Sequence, residues 1–211
     1  MTTIAQSVFA SVAHRYWHPG WTEERNREVF AGDASVEGLG ANMRIELAGD
    51  AADHSEMEIG AALTPLKNLL DHQCLFAADA PFALKPSTLE NVTLYLAGHL
   101  DGGQWSSLTV WESATLGCRW SEKRLTLIFK QRNLTLEIVA TPDAESGLAI
   151  SRNAVRNAVE NLLVKLNSFN DPDLQRWGGK IFSALQASIP ELTRLRVDLG
   201  RHEGIVVHSG N

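Results

Sequence analysis

The chain changes its hydrophobic period several times, and each change predicts an element. "QSVFASVAHRYW" alternates apolar and polar residues as a half-buried strand does. "NMRIELAGD" repeats the alternation, with Met43, Ile45 and Leu47 on one face. The long charged, Gly-rich stretch between them predicts a short helix around "TEERNREVF", with Thr22 as its N-cap. After Asp50 the period becomes helical, through Ile59, Leu63, Leu66 and Leu70; Thr64-Pro65 leaves open a shorter helix that starts there instead. A loop, "CLFAADAPFALKPS", leads to Thr88, which caps a second helix. Its apolar face is Val92, Tyr95, Leu96, His99 and Leu100, with His99 read as a packed core histidine. "SSLTVWESA" and "LGCRW" return to strand alternation.

The same order then begins again. "EKRLTLIFKQRNLTLEIVATPD" predicts two strands around Arg132-Asn133. "SRNAVRNAVENLLVKL" predicts an amphipathic helix capped by Ser151, with Val155, Val159, Leu162, Leu163 and Leu166 along one side. "DLQRWGGKIFSALQASI" predicts another helix, weakened in its first turns by Gly178-Gly179, and "LTRLRVDLG" and "GIVVH" are closing strands. Two ββααββ units therefore imply an α+β fold with an internal duplication, residues 1–120 and 121–211. Aligning Val110 with Val197 also superposes Gly117 on Gly204.

Composition narrows the function classes. A hydrophobic fraction of 44% suits a globular core, and a net charge of −6 without a basic stripe argues against a nucleic-acid partner. Cys74 and Cys118 lack metal spacing and form no disulfide framework. The sequence has no 18-residue apolar run, and its start, "MTTIAQSVFASV", has no basic n-region, so a cytoplasmic protein without a membrane partner is expected.

Two places carry chemistry. In "LTVWES", Leu108, Val110 and Glu112 share a strand face, and the corresponding face in the second unit is Leu195, Val197 and Leu199. A carboxylate in that row must be paired, ligand-bound or solvent-reaching, because burying it alone is costly. In "LKNLLDHQCLF", Asp71-His72 is either an acid–base pair or a helix end whose His complements the macrodipole. The second unit has Asn167 and Ser168 there, so both differences put titratable groups in the first unit.

These segments resemble the 6-pyruvoyl-tetrahydropterin synthases and the related 6-carboxytetrahydropterin synthases, whose tunnelling fold is built from ββααββ units. "AHRY" resembles the family's Ala-His-Arg, and "WTEERNREVFAG" is similar to its Glu-Glu-Asn segment. "LLDHQCL" resembles its Leu-Asp-His, "PSTLENVTLYL" its Pro-Thr-x-Glu-Asn, and "ESATLGCRW" its Glu-Thr segment. All five occur in the family's order, across roughly residues 8 to 120.

The resemblance implies a pterin anchor at Glu112, next to Ser113 at the Thr position, and a proton relay of Asp71 and His72. The family's catalytic Cys falls on Asp33. Of its three zinc-binding His, His14 matches one, while Leu39 and Ala41 stand at the other two places. Neither Leu nor Ala donates a lone pair, so no cofactor is implied, and zinc would need other ligands in place of Leu39 and Ala41; His18, Asp33 and Cys74 are the candidates. The expectation is a synthase-like protein that binds a pterin or related heterocycle, with metal-independent proton transfer open to it. The alternative is a non-catalytic binding or assembly protein. A lone unit leaves sheet edges open, so a homo-oligomer that closes a barrel is expected.

Overall fold

The computed structural model describes residues 2–100, 105–131, 134–166, 174–198 and 204–208. The alternating N-terminal segments form two long strands, β1 (Thr3–His14) and β2 (Leu39–Asp50). They pair antiparallel from Thr3 opposite Asp50 to His14 opposite Leu39. Met43, Ile45 and Leu47 are all buried, as the alternation requires. Their connection holds α1 (Glu23–Phe30), where the Thr22 side chain accepts the Arg25 N–H, followed by a 3-10 turn at Ala31–Asp33.

Helix α2 (Glu56–Leu70) starts at a reciprocal capping box of Ser55 and Glu58 and continues through Pro65. An interior proline costs roughly 3 kcal/mol. The stripe of Ile59, Leu63, Leu66 and Leu70 is fully buried, at roughly 1.5–3 kcal/mol for each side chain, so burial wins and the longer helix forms. After a two-residue strand, β3 (Gln73–Cys74), comes α3 (Leu89–Ala97), capped by Thr88. This helix ends before His99, which is exposed with its ring edge-on to Tyr95, not packed in the core; the buried face is Leu89, Val92 and Leu96.

The rest of the chain is β4 (Ser107–Trp111), β5 (Leu116–Ser121), β6 (Arg124–Gln131), β7 (Leu134–Ala140), α4 (Arg152–Leu166), α5 (Leu174–Gln186), β8 (Leu192–Asp198) and β9 (Gly204–His208). All strands join one mixed sheet in the order β3-β1-β2-β4-β5-β6-β7-β8-β9, antiparallel except for β3 alongside β1. Two helix pairs interrupt this meander, α2 and α3 between β2 and β4, and α4 and α5 between β7 and β8. One core runs along the sheet beneath these helices, from Ala10, Ile45 and Val110 through Cys118 and Leu127 to Leu136 and Leu195, with Val155, Val159, Ile181 and Leu185 packed against it. Leu199, Asn167, Ser168 and the Arg132-Asn133 turn lie outside the described residues. No helix among the described residues is long and apolar enough to cross a membrane.

Candidate functional site

Where β1 leaves the sheet, the chain carries its alternation two residues further. Val12, His14 and Tyr16 therefore point to the same, helix-covered side and are all buried. The Tyr16 backbone bridges to Ala34, which brings the 3-10 turn and Asp33 alongside. Ser87 fixes the other flank: its hydroxyl accepts the Arg15 N–H at 2.7 Å, and its carbonyl lies 3.3 Å from His14 Nδ1. The next residues begin α3, placing Glu90 in its first turn, fully buried. The Tyr16 hydroxyl accepts the Leu89 N–H at 3.2 Å and donates to Glu112 Oε2 at 2.5 Å.

The cluster is completed from the second half of the chain. Segment 143–151 docks on α3 and α1. Thr88 donates to the Gly147 carbonyl at 3.0 Å, the Ala149 N–H donates to Glu90 Oε1 at 3.2 Å, and Arg25 meets Glu145 at 2.8 Å. Gly147 is needed here. Its φ is +68°, and a Cβ would lie 2.1 Å from Asn91 Nδ2. Docking delivers Arg152, the first residue of α4, into the cluster. Its guanidinium lies over the Tyr16 ring at 4.2 Å. Its Nη1 is 3.3 and 3.5 Å from the two Glu112 oxygens and 3.9 Å from Asp33, and its Nη2 is 3.7 Å from Glu90 Oε2.

Electrostatics follow from this burial. Desolvation pushes the Glu90 carboxyl up from its ordinary range, against the pull of Arg152. Burial works against the charge on Arg152, yet Tyr16, Glu112, Glu90 and Asp33 outweigh it and raise its pKa further. Burial raises the Tyr16 phenol well above its usual value and lowers the His14 imidazole, the latter against the opposing influence of Glu112. Glu90 Oε2 and the Nε and Nη2 of Arg152 have no hydrogen-bond partner among the described residues.

Beside this cluster opens a cavity of about 500 Å³ between α4 and the sheet. Asp33, Glu112, Ser113 and Arg152 line it with Thr115, Lys130 and Arg156, over an apolar floor that includes Phe129 and Leu136. Glu112 and Asp33 therefore share one wall, as does Ser113, whose hydroxyl also accepts the Thr115 and Leu116 N–H groups and shapes the β4–β5 turn. Asp71 and His72 are not among the lining residues. Asp71 ends α2, where its carboxylate accepts the Ser11 N–H at 2.9 Å and meets Lys67 at 3.3 Å. His72 has φ +59° and an 84% exposed side chain whose Nε2 is 3.9 Å from Asp71 Oδ1.

His14 pairs with Leu39 across the β1–β2 ladder and Val12 with Ala41, so positions 39 and 41 stand beside the one imidazole. That donor set does not fit a zinc ion, which takes three or four N, S or O ligands. His18 is stacked on Trp21 and accepts the Gly20 N–H, and Cys74 is exposed in β3. Three members of the cluster were missed from sequence: Tyr16, Glu90 and Arg152. Tyr16 and Glu90 lie inside "AHRY" and "PSTLEN", two of the segments that carried the resemblance.

These features define a class of fold, an antiparallel meander of strands with helix pairs on one face. A solved structure of that class, the 6-pyruvoyl tetrahydropterin synthase of Caenorhabditis elegans, superposes with a TM-score of 0.50 at 19% sequence identity, over 57% of this chain and 94% of that one. At that identity the likeness is one of fold. No protein-family model matches the chain, and no curated protein matches it in sequence.

Proposed function

We propose that the chain is a 6-pyruvoyl-tetrahydropterin synthase-like protein made of two tandem tunnelling-fold units, residues 1–120 and 121–211, that binds a pterin or related heterocycle beside Glu112. The observation that carries the binding reading is the Glu112 carboxylate on the wall of the 500 Å³ cavity. Its Oε1 meets only the 3.5 Å contact to Arg152 among the described residues, which leaves acceptor capacity for a ligand's N–H groups. A pterin presents adjacent N–H donors and a carbonyl on one edge. Glu112 would accept from the donors and Arg152 would donate to the carbonyl. The tandem reading is supported by the repeated element order and by register. Trp111 pairs with Gly117, and Asp198 pairs with Gly204, with the same spacing in each half.

Under this reading His72, oriented by Asp71, would move a proton without a metal, and its exposure would suit a site completed at a contact between units of a cytoplasmic homo-oligomer. A second reading is favoured by Arg152, which is 6% exposed and already pairs with Glu112 at 3.3 Å. In it, the chain is a non-catalytic binding or assembly protein. A fluorescence titration with pterin separates the outcomes. Saturable binding by the unaltered protein, lost at least tenfold in Glu112→Ala and weakened in Glu112→Gln, supports the pterin site; equal affinity in all three proteins contradicts it. Turnover of a reduced pterin that His72→Ala abolishes while binding persists selects the enzyme, and binding without turnover selects the second reading.

A further inference from the structure

The helix-free face of the sheet carries a different chemistry. Row by row, the register places Arg44, Trp111, Gly117, Ile128, Glu137 and Arg194 side by side across β2, β4, β5, β6, β7 and β8. Trp111 lies flat over Gly117, where a Cβ would sit 2.7 Å from the indole. The Arg44 guanidinium, at 5.0 Å, and the Lys130 ammonium, at 4.2 Å, lie over its ring. Beyond it a concavity of about 440 Å³ is lined by Trp111, Arg119, Lys130, Glu137, Arg194 and Arg196. Glu137 is the acid of this lining, and it holds Arg119 at 3.0 Å and Arg194 at 3.5 Å.

We infer that this concavity is a binding site for a compact oligoanion, of the class of organic polyphosphates, on the face of the sheet opposite Glu112. Three observations converge on it. In a chain of net charge −6, Arg119, Lys130, Arg194 and Arg196 surround one hollow with Glu137 as its acid, which concentrates a local positive field. Two donors there are buried and unspent: Trp111 Nε1 and Arg194 Nε have no hydrogen-bond partner among the described residues, and Trp111 is only 6% exposed. Glu137 also fixes the Arg119 and Arg194 guanidinium groups, so the planar forks that match phosphate oxygens are held in place before a ligand arrives. The volume admits a few phosphate groups rather than a polymer.

The test is isothermal titration of the full chain with inorganic tripolyphosphate at low salt, with citrate as a carboxylate anion. Saturable tripolyphosphate binding is expected, weaker at least tenfold in R194Q/R196Q and several-fold in R196Q, whose exposed side chain leaves folding intact. Citrate is expected to bind more weakly than tripolyphosphate. The control R27Q/K85Q removes two exposed positive charges away from the concavity and is expected to bind as the unaltered protein does. Absence of saturable binding, an equal loss in the control, or citrate binding as tightly as tripolyphosphate would overturn the inference.

Discussion

Arg152 is almost fully buried, and three carboxylates, Asp33, Glu90 and Glu112, lie within 4 Å of its guanidinium. Removing one partner of a buried ionic cluster costs about 3–5 kcal/mol, because the other charges remain buried without compensation. Arg152→Met should therefore lower stability in urea unfolding at pH 7 by that order. Part of the loss should return on mild acidification. Burial holds the Glu90 pKa above its ordinary value, so the folded state binds the proton more readily than the unfolded state, and stability falls as pH rises through that range. His14 acts in the opposite direction. Its folded pKa lies below 6.5, so the unfolded chain takes up the proton first, and the stability it contributes fades as pH drops through 6.5. Nitrogen-15 NMR should accordingly find the His14 ring losing its proton at a lower pH than an exposed imidazole does. The sequence could announce Glu112, a lone acid in an apolar row, but not its partner. Arg152 is one of two arginines on the polar-looking first turns of α4, and the docking of segment 143–151 gives it its destination.

At the scale of elements, this docking rests on Gly147. Gly147→Ala places a Cβ against Asn91 and demands a positive φ from a residue that resists it, a strain of about 1–3 kcal/mol. Hydrogen exchange should then quicken at Ala149 and along the first turn of α4, with α2 unaffected; unchanged protection at Ala149 would show that the segment is held by something else. Most elements were legible because periodicity reports burial directly, as in β1, β2 and the stripe of α2. Local signals were weaker where tertiary burial overrode them. Pro65 left two helix starts open, and core packing chose the longer. His99 kept the helical spacing, but α3 ends at Ala97 and the imidazole turns back to the Tyr95 carbonyl instead of entering the core. The β5–β6 turn lacks the Asn-Gly that marks such hairpins, yet Glu122 and Lys123 both adopt positive φ there, because a continuous ladder on either side imposes it.

At the scale of the molecule, the sheet is open. Among the described residues β1 is met on its outer side by β3 at Val12 and Ala13 and by Asp71 and His72 at Ser11, which leaves most of a twelve-residue strand as an open edge. Light scattering should therefore report a homo-oligomer at micromolar concentration, and a monomer would contradict barrel closure between copies. The basic face belongs to this scale too. Arg44, Arg119, Lys130, Arg194 and Arg196 are spread over more than 150 residues and form no stripe in sequence. They converge because alternate positions of neighbouring strands share a face.

Pterin binding in this cavity is read most directly at the Glu112 carboxylate itself during ligand addition. Carbon-13 NMR of side-chain carboxyl groups, assigned through Glu112→Gln, should show the Glu112 resonance moving to saturation as pterin is added, with Glu137 on the opposite face still. Pterin binding that leaves the Glu112 resonance in place, or no binding at all, would contradict the assignment of this cavity.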